Sequence, residues 1–461
     1  MLPITHLAAL KRAAPAGKVV VTVEHEQDTQ EGKIMTRNPR TDSLLPRLCL
    51  ALIVLPFVLV TAGIPDTSGF RYYLATKRDA FIPVVWMLNE SRGFSALSPP
   101  VRHVGVDQRE VEKVNTYFSL INQSEEKQRQ FDRIFAANND TDPGLGALRE
   151  DMAALDADLT SHEKEIESII ERQVTWALGE AGVTVSLGSA SFIFPPVNFR
   201  FVRLPNLLVV SPRDRITRES TITLRADLAP EGMEQVEDQI ASLNMAGLVT
   251  PIGGLGLYPS MIPRSYSREY VIRTVAHEWT HQYLFLRPLG WRYGLGIEPS
   301  GDAIAVNETV AGIVGYEIGN RVLEHFYGAK PPAPEPAGSV QTESPPDAFN
   351  FNLRMRQIRV KVEDLLADGK ITEAESHMED ERQFLLSRGY PIRKLNQAYF
   401  AFYGSYADGP GGISPVYGHV QQLRDEHTDL AGFLNAVSGV STYEEMKQQL
   451  SRIQVHSARG Q

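Results

Sequence analysis

The sequence predicts a helix-rich α+β fold, and three observations carry that prediction. Apolar residues recur at helical spacing across residues 107–182 and again across 349–461. Residues 184–228 instead hold short runs of β-branched and aromatic residues separated by prolines, the pattern of a small antiparallel sheet. From about 267 to 325 the helical pattern returns in two segments divided by glycines. With 461 residues, 43% hydrophobic and 22% charged, the chain is long enough for two or three structural units and ordinary enough in composition to fold. A net charge of −10, with no block of Lys and Arg interleaved with aromatics, excludes a nucleic-acid footprint. Cys49 is the one cysteine, so no intrachain disulfide can form.

Residues 1–44 mix charges with Thr, Gly and Pro without periodicity and read as a cytoplasmic tail. The uncharged run Leu48–Ile64 is close to the length a helix needs to cross the hydrocarbon core, so residues 45–65 are expected to be a transmembrane signal anchor. Lys33, Arg37, Arg40 and Arg47 precede it, which places the N-terminus inside and residues from Pro65 onward outside. The alternative starts at Met35 and cleaves near Ala62, giving a secreted chain. Residues 66–106 form a juxtamembrane connection with an apolar patch at 81–86.

Residues 107–182 read as a long helical hairpin divided by the turn-rich segment 138–144. Residues 183–328 form the expected core, beginning with β-like runs at 192–194, 199–202, 207–210 and 221–224. A helix near Met233–Asn244 leads to the glycine-rich segment Leu248–Ile262, a further strand or an irregular edge, in which Pro251–Tyr258 could be an edge strand that binds an extended peptide. Ser267 is a good N-cap for the next helix, with Glu269 in the first turn, and a second helix covers about Ala303–His325. Residues 329–348 are a proline-rich linker, and 349–461 read as a C-terminal helical subdomain.

The sharpest motif is His277-Glu278-Trp279-Thr280-His281. Residues four apart share a helix face, so both imidazoles can reach one cation while Glu278 stands beside it as a base. Zinc needs a third protein ligand. The third-histidine pattern of the metzincins is absent, because Leu284 and Arg287 occupy its glycine and histidine positions. Glu308, in Asn307-Glu308-Thr309, is the chosen ligand; Asp302, Glu298, Glu317 and His325 are competitors, and Asp302 could instead accept from a ligand imidazole. Ala305, Gly312, Gly315 and Gly319 continue the Glu308 face, which lets two helix backbones approach closely.

At these residues the chain resembles the gluzincins, zinc peptidases with HExxH on one helix and a glutamate ligand on the next. That resemblance implies a zincin-like core holding one Zn2+ through His277, His281 and Glu308, with Glu278 as general base in peptide-bond hydrolysis. A peptide or protein is then the expected substrate, and the lipid bilayer the partner of residues 48–64. Tyr403 and Tyr406, on the helical face that also carries Tyr399, are the hydroxyls considered for stabilising an oxyanion, against a packing role. His419 and His427 carry no partner pattern. The competing reading is a membrane-anchored binding or scaffold protein whose metal site is structural or inert.

Overall fold

The structure is a computed structural model that describes residues 67–90, 98, 100, 101, 105–136, 144–264, 267–290, 301–329, 349–404 and 415–459. The expected tail, the Leu48–Ile64 run, Glu298, Tyr406 and nearly all of the proline-rich linker lie outside the described residues. Among those described, no helix is long and apolar enough to cross a membrane.

The fold is α+β. It opens with α1 (Thr67–Thr76) and α2 (Pro83–Glu90), then the hairpin α3 (Gln108–Ala136) and α4 (Gly144–Glu180). Short strands follow: β1 (Val185–Leu187), β2 (Ala190–Phe192), β3 (Phe199–Phe201), β4 (Asn206–Pro212) and β5 (Ser220–Leu224). After α5 (Pro230–Ala241) come β6 (Met245–Pro251), β7 (Ser260–Ile262), α6 (Arg268–Phe285) and α7 (Gly301–Tyr327). The C-terminal helices are α8 (Phe351–Ala367), α9 (Ile371–Ser387), α10 (Gln397–Tyr403), α11 (Val416–Asp425), α12 (Leu430–Ser438) and α13 (Tyr443–Arg459).

The β-like runs do not form one sheet. β4 is the centre of an antiparallel sheet ordered β5-β4-β6, β1 and β2 form a separate hairpin, and β3 pairs in parallel with β7. The separation follows from burial: Phe199 and Phe201 belong to the helical core, whereas β4 divides its side chains between two other cores. Leu208 and Val210 face α5 with Val249, while Val209 and Leu248 face α8–α10. Burial on both faces explains why Leu207–Val210 reads as a continuous apolar run instead of an alternating one. The helices after residue 349 serve two cores, since α8–α10 cover this sheet and α11–α13 pack with α4, α6 and α7.

Strand edges are closed by side chains and neighbouring loops, which satisfies backbone groups that would otherwise be left open. Glu167 and Glu171, four apart on α4, accept from the backbone N–H groups of Phe201 (2.8 Å) and Phe199 (3.0 Å) on β3. Along β5, Phe81 donates its N–H to the Thr223 carbonyl at 2.8 Å. On β6, buried Glu237 accepts from Val249 N–H at 2.7 Å, and Arg393 donates to the Val249 carbonyl at 2.8 Å.

Glu237 also receives Arg393 and Lys394, each at 3.0 Å, so one carboxylate ties α5, β6 and the segment before α10. Burial alone would raise its pKa, but the Arg393 hydrogen bond, the Val249 N–H and Lys394 carry it below the usual range. Glu237→Ala is expected to cost about 3 kcal/mol in urea unfolding, because it strands a buried N–H and two cations that can only partly turn to water. A depressed folded pKa gives stability that is present above the unfolded value and lost as pH falls through the folded one. The difference between wild type and Glu237→Ala should therefore be largest near neutrality and shrink below about pH 4. A pH-independent difference would remove the ionic part of this account.

Candidate metal centre

The two central helices, α6 and α7, are positioned by opposite faces of their own sequence. Ser267 caps α6 by accepting from Tyr270 N–H at 3.3 Å. Trp279 donates its indole N–H to the Pro195 carbonyl at 2.8 Å, and Gln282 donates to Ser260 Oγ at 2.8 Å and to the Leu257 carbonyl. These bonds fix the rotation of α6. On the other side, Val271, Val275, Val306, Val310, Val314 and Ile318 join one apolar core, so α7 lies along α6.

His277 and His281 thereby face Glu308. The two Nε2 atoms are 3.1 Å apart, and Glu308 Oε2 lies 3.6 Å from His277 Nε2 and 3.7 Å from His281 Nε2. Three donors each about 2.0–2.1 Å from a tetrahedral zinc would be separated by about 3.3–3.4 Å. The observed triangle is within a few tenths of an ångström of that. Two imidazoles and one carboxylate, leaving a further position open, are also the donor set of a catalytic zinc site. These three residues form a group that could hold a metal ion. Its open side is at His277, whose side chain is 26% exposed, against 9% for Glu308.

Asn307 supplies what the sequence left unassigned. Its Oδ1 lies 2.6 Å from His281 Nδ1, so it accepts the Nδ1–H and leaves the Nε2 lone pair directed into the cluster. Asp302 does not take that role: it is exposed, and its charge acts on Tyr443 and Lys447. The other described competitors are also committed elsewhere. Glu317 accepts from Arg424 Nε (2.7 Å) and Nη2 (3.0 Å), and His325 stacks on Trp176 at 4.0 Å. His419 and His427 bond to Tyr443 and to the Leu423 carbonyl.

Two acids of different character meet here. Burial pushes the Glu278 carboxyl up to about 7, with Glu308 adding to the rise and His281 opposing it. Burial would also raise Glu308, but His281, His277 and Arg218 hold it down to about 2. One carboxylate is thus a ready ligand and the other a stronger base. Glycines make the enclosure possible: a Cβ on Gly254 would come within 2.2 Å of Glu278 Oε1, and one on Gly256 within 2.9 Å of His281 Cβ. The Pro251–Tyr258 stretch is therefore an irregular close cover for Glu278, the second of the two forms expected of it, its one bridge beyond β6 being Leu255 to Met261.

Tyr403 lies in the aromatic cluster over the sheet, 4.4 Å from Tyr399 ring to ring, and its hydroxyl shares a 2.9 Å hydrogen bond with Thr250 Oγ1. Tyr406 lies outside the described residues. Arg218, between β4 and β5, is a charged neighbour of Glu308 that nothing in the local sequence marked, and its guanidinium sits 5.4 Å from the Phe402 ring. Compared with protein-family models, curated proteins and solved structures, the chain matches none.

Proposed function

We propose that this chain is a zinc metallopeptidase of the gluzincin type, with a zincin-like core held to a membrane by Leu48–Ile64 and facing away from the cytoplasm. The observation that supports it most is the convergence of His277, His281 and Glu308 with Glu278 buried beside them. A zinc ion held there would polarise a peptide carbonyl and acidify a water. Glu278 takes the proton from the attacking water and delivers it to the departing amine nitrogen. Its burial favours this work, because a carboxylate removed from bulk water is a stronger base and keeps the proton near the reacting atoms. Asn307 holds the His281 ring, and the Gly254–Gly256 cover restrains Glu278. Tyr403 is given no part in this reading; its ring packs in the aromatic cluster over the sheet and its hydroxyl shares a hydrogen bond with Thr250.

Removal and return of the metal tests the proposal. Dialysis against a chelator is expected to abolish hydrolysis of an unfolded protein substrate, and one equivalent of zinc per chain should restore it. Stoichiometric zinc with no hydrolysis of unfolded proteins or peptide libraries would instead favour the binding or scaffold reading, with a structural metal site.

A further inference from the structure

Among the described residues, one side of α2 packs into a hydrophobic cluster while the other carries exposed apolar side chains. Met87 is fully buried, and Phe81 and Trp86 pack with it against Leu255, Leu257, Tyr258 and Phe285. Ile82, just before the helix, and Val85 and Leu88 on it, spaced three apart, are 54%, 53% and 48% exposed. This face is held firmly. Phe81 donates to the Thr223 carbonyl, Ala80 bridges Leu224, and Tyr72 of α1 is buried in the core beneath the sheet. Tyr73 and Leu74 are also exposed, as are the cations Arg71, Lys77 and Arg78.

We infer that this outward face of α2, with the basic turn before it, lies on the surface of a lipid bilayer carrying anionic headgroups. The inference rests on reading Leu48–Ile64 as a membrane anchor. That run ends three residues before Thr67, and three residues span at most about 10 Å. A chain leaving the hydrocarbon at Ile64 must therefore begin α1 at headgroup depth. Exposed aliphatic side chains beside Tyr73 and several Lys or Arg are the composition that this depth selects. The charges agree: Asp79 is paired with Arg225 at 2.9 Å, and the exposed Arg71, Lys77 and Arg78 are placed to meet lipid phosphates. The inward face of α2 shares one hydrophobic cluster with Leu255, which stands between the two glycines covering Glu278. The site is then one helix layer from the lipid, and the substrates suited to it are polypeptide segments that lie close to the membrane.

The test uses the full chain with Cys49→Ser, reconstituted in vesicles of phosphatidylcholine and phosphatidylglycerol containing doxyl-labelled lipid. Single cysteines at Val85, at Leu386 on the exposed surface of α9 and at Val58 in the apolar run carry an environment-sensitive fluorophore. Quenching at Val85 should exceed that at Leu386 several-fold, with blue-shifted emission. It should weaken in Lys77→Glu/Arg78→Glu or when phosphatidylglycerol is omitted. Quenching at Val58 without quenching at Val85 would overturn the inference and leave the anchor standing. Absence at both positions would remove the anchor and the inference together, and quenching at Val85 alone would keep the lipid contact without the anchor. Blue-shifted but unquenched emission at Val85 would mean that protein covers the face, either residues 1–66 or a second copy, and would overturn the inference.

Discussion

Glu278→Gln is expected to lower kcat/KM for peptide hydrolysis by roughly 10²–10⁴-fold while leaving zinc content and thermal stability close to those of the wild type. Glutamine has the same shape, so the close contacts with Gly254 and Gly256 survive. It cannot take a proton from water. The three donors His277, His281 and Glu308 are untouched, which is why metal content should not follow activity. His277→Ala provides the contrast, because it removes a donor and should lose both together. Measuring zinc per chain beside hydrolysis separates the two variants. Activity that survives in Glu278→Gln would sink the assignment of this residue as the base, and loss of zinc in the same variant would show that it belongs to the ligand set.

The legible parts of this fold are those governed by a short period. Helical spacing placed His277 and His281 on one face, and the capping residue Ser267 set the start of α6, where the cap is found. Glu308 needed more than spacing: a likeness to a known arrangement and a helix face poor in bulk. Both pointed to the residue that the structure brings to the histidines. What was not legible depends on distant partners. A three-residue strand such as β3 carries too little pattern to choose between joining β4 and pairing in parallel with β7, and the choice is made by the core that buries Phe199 and Phe201. Arg218 reaches the neighbourhood of Glu308 from a loop between two strands, and a single loop arginine has no sequence signature. The glycines at 254 and 256 were visible as glycines, but that Glu278 lies against them is a fact of tertiary packing.

The small-residue face of α7 makes the sharpest stability prediction, because its glycines are not equivalent. A Cβ on Gly315 would stand 2.9 Å from the Arg273 carbonyl oxygen and 3.1 Å from His277 Cβ, whereas one on Gly312 would meet nothing within 4 Å. The sequence grouped these two glycines; only Gly315 serves the close approach. Alanine at either position gains helix propensity of up to ~1 kcal/mol. Gly312→Ala should keep that gain. In Gly315→Ala the new methyl meets backbone, which cannot turn aside, so α7 must move off α6 at a cost of about 1–3 kcal/mol. The variant should be net destabilised. That displacement acts on Glu308, which sits about two turns away on the same rigid helix, and so should also weaken zinc binding. Urea unfolding and zinc titration of the two variants, compared with each other, cancel the propensity they share. Equal stabilities and equal zinc affinities would show that the contact between α6 and α7 at Gly315 does not set the spacing of the donors.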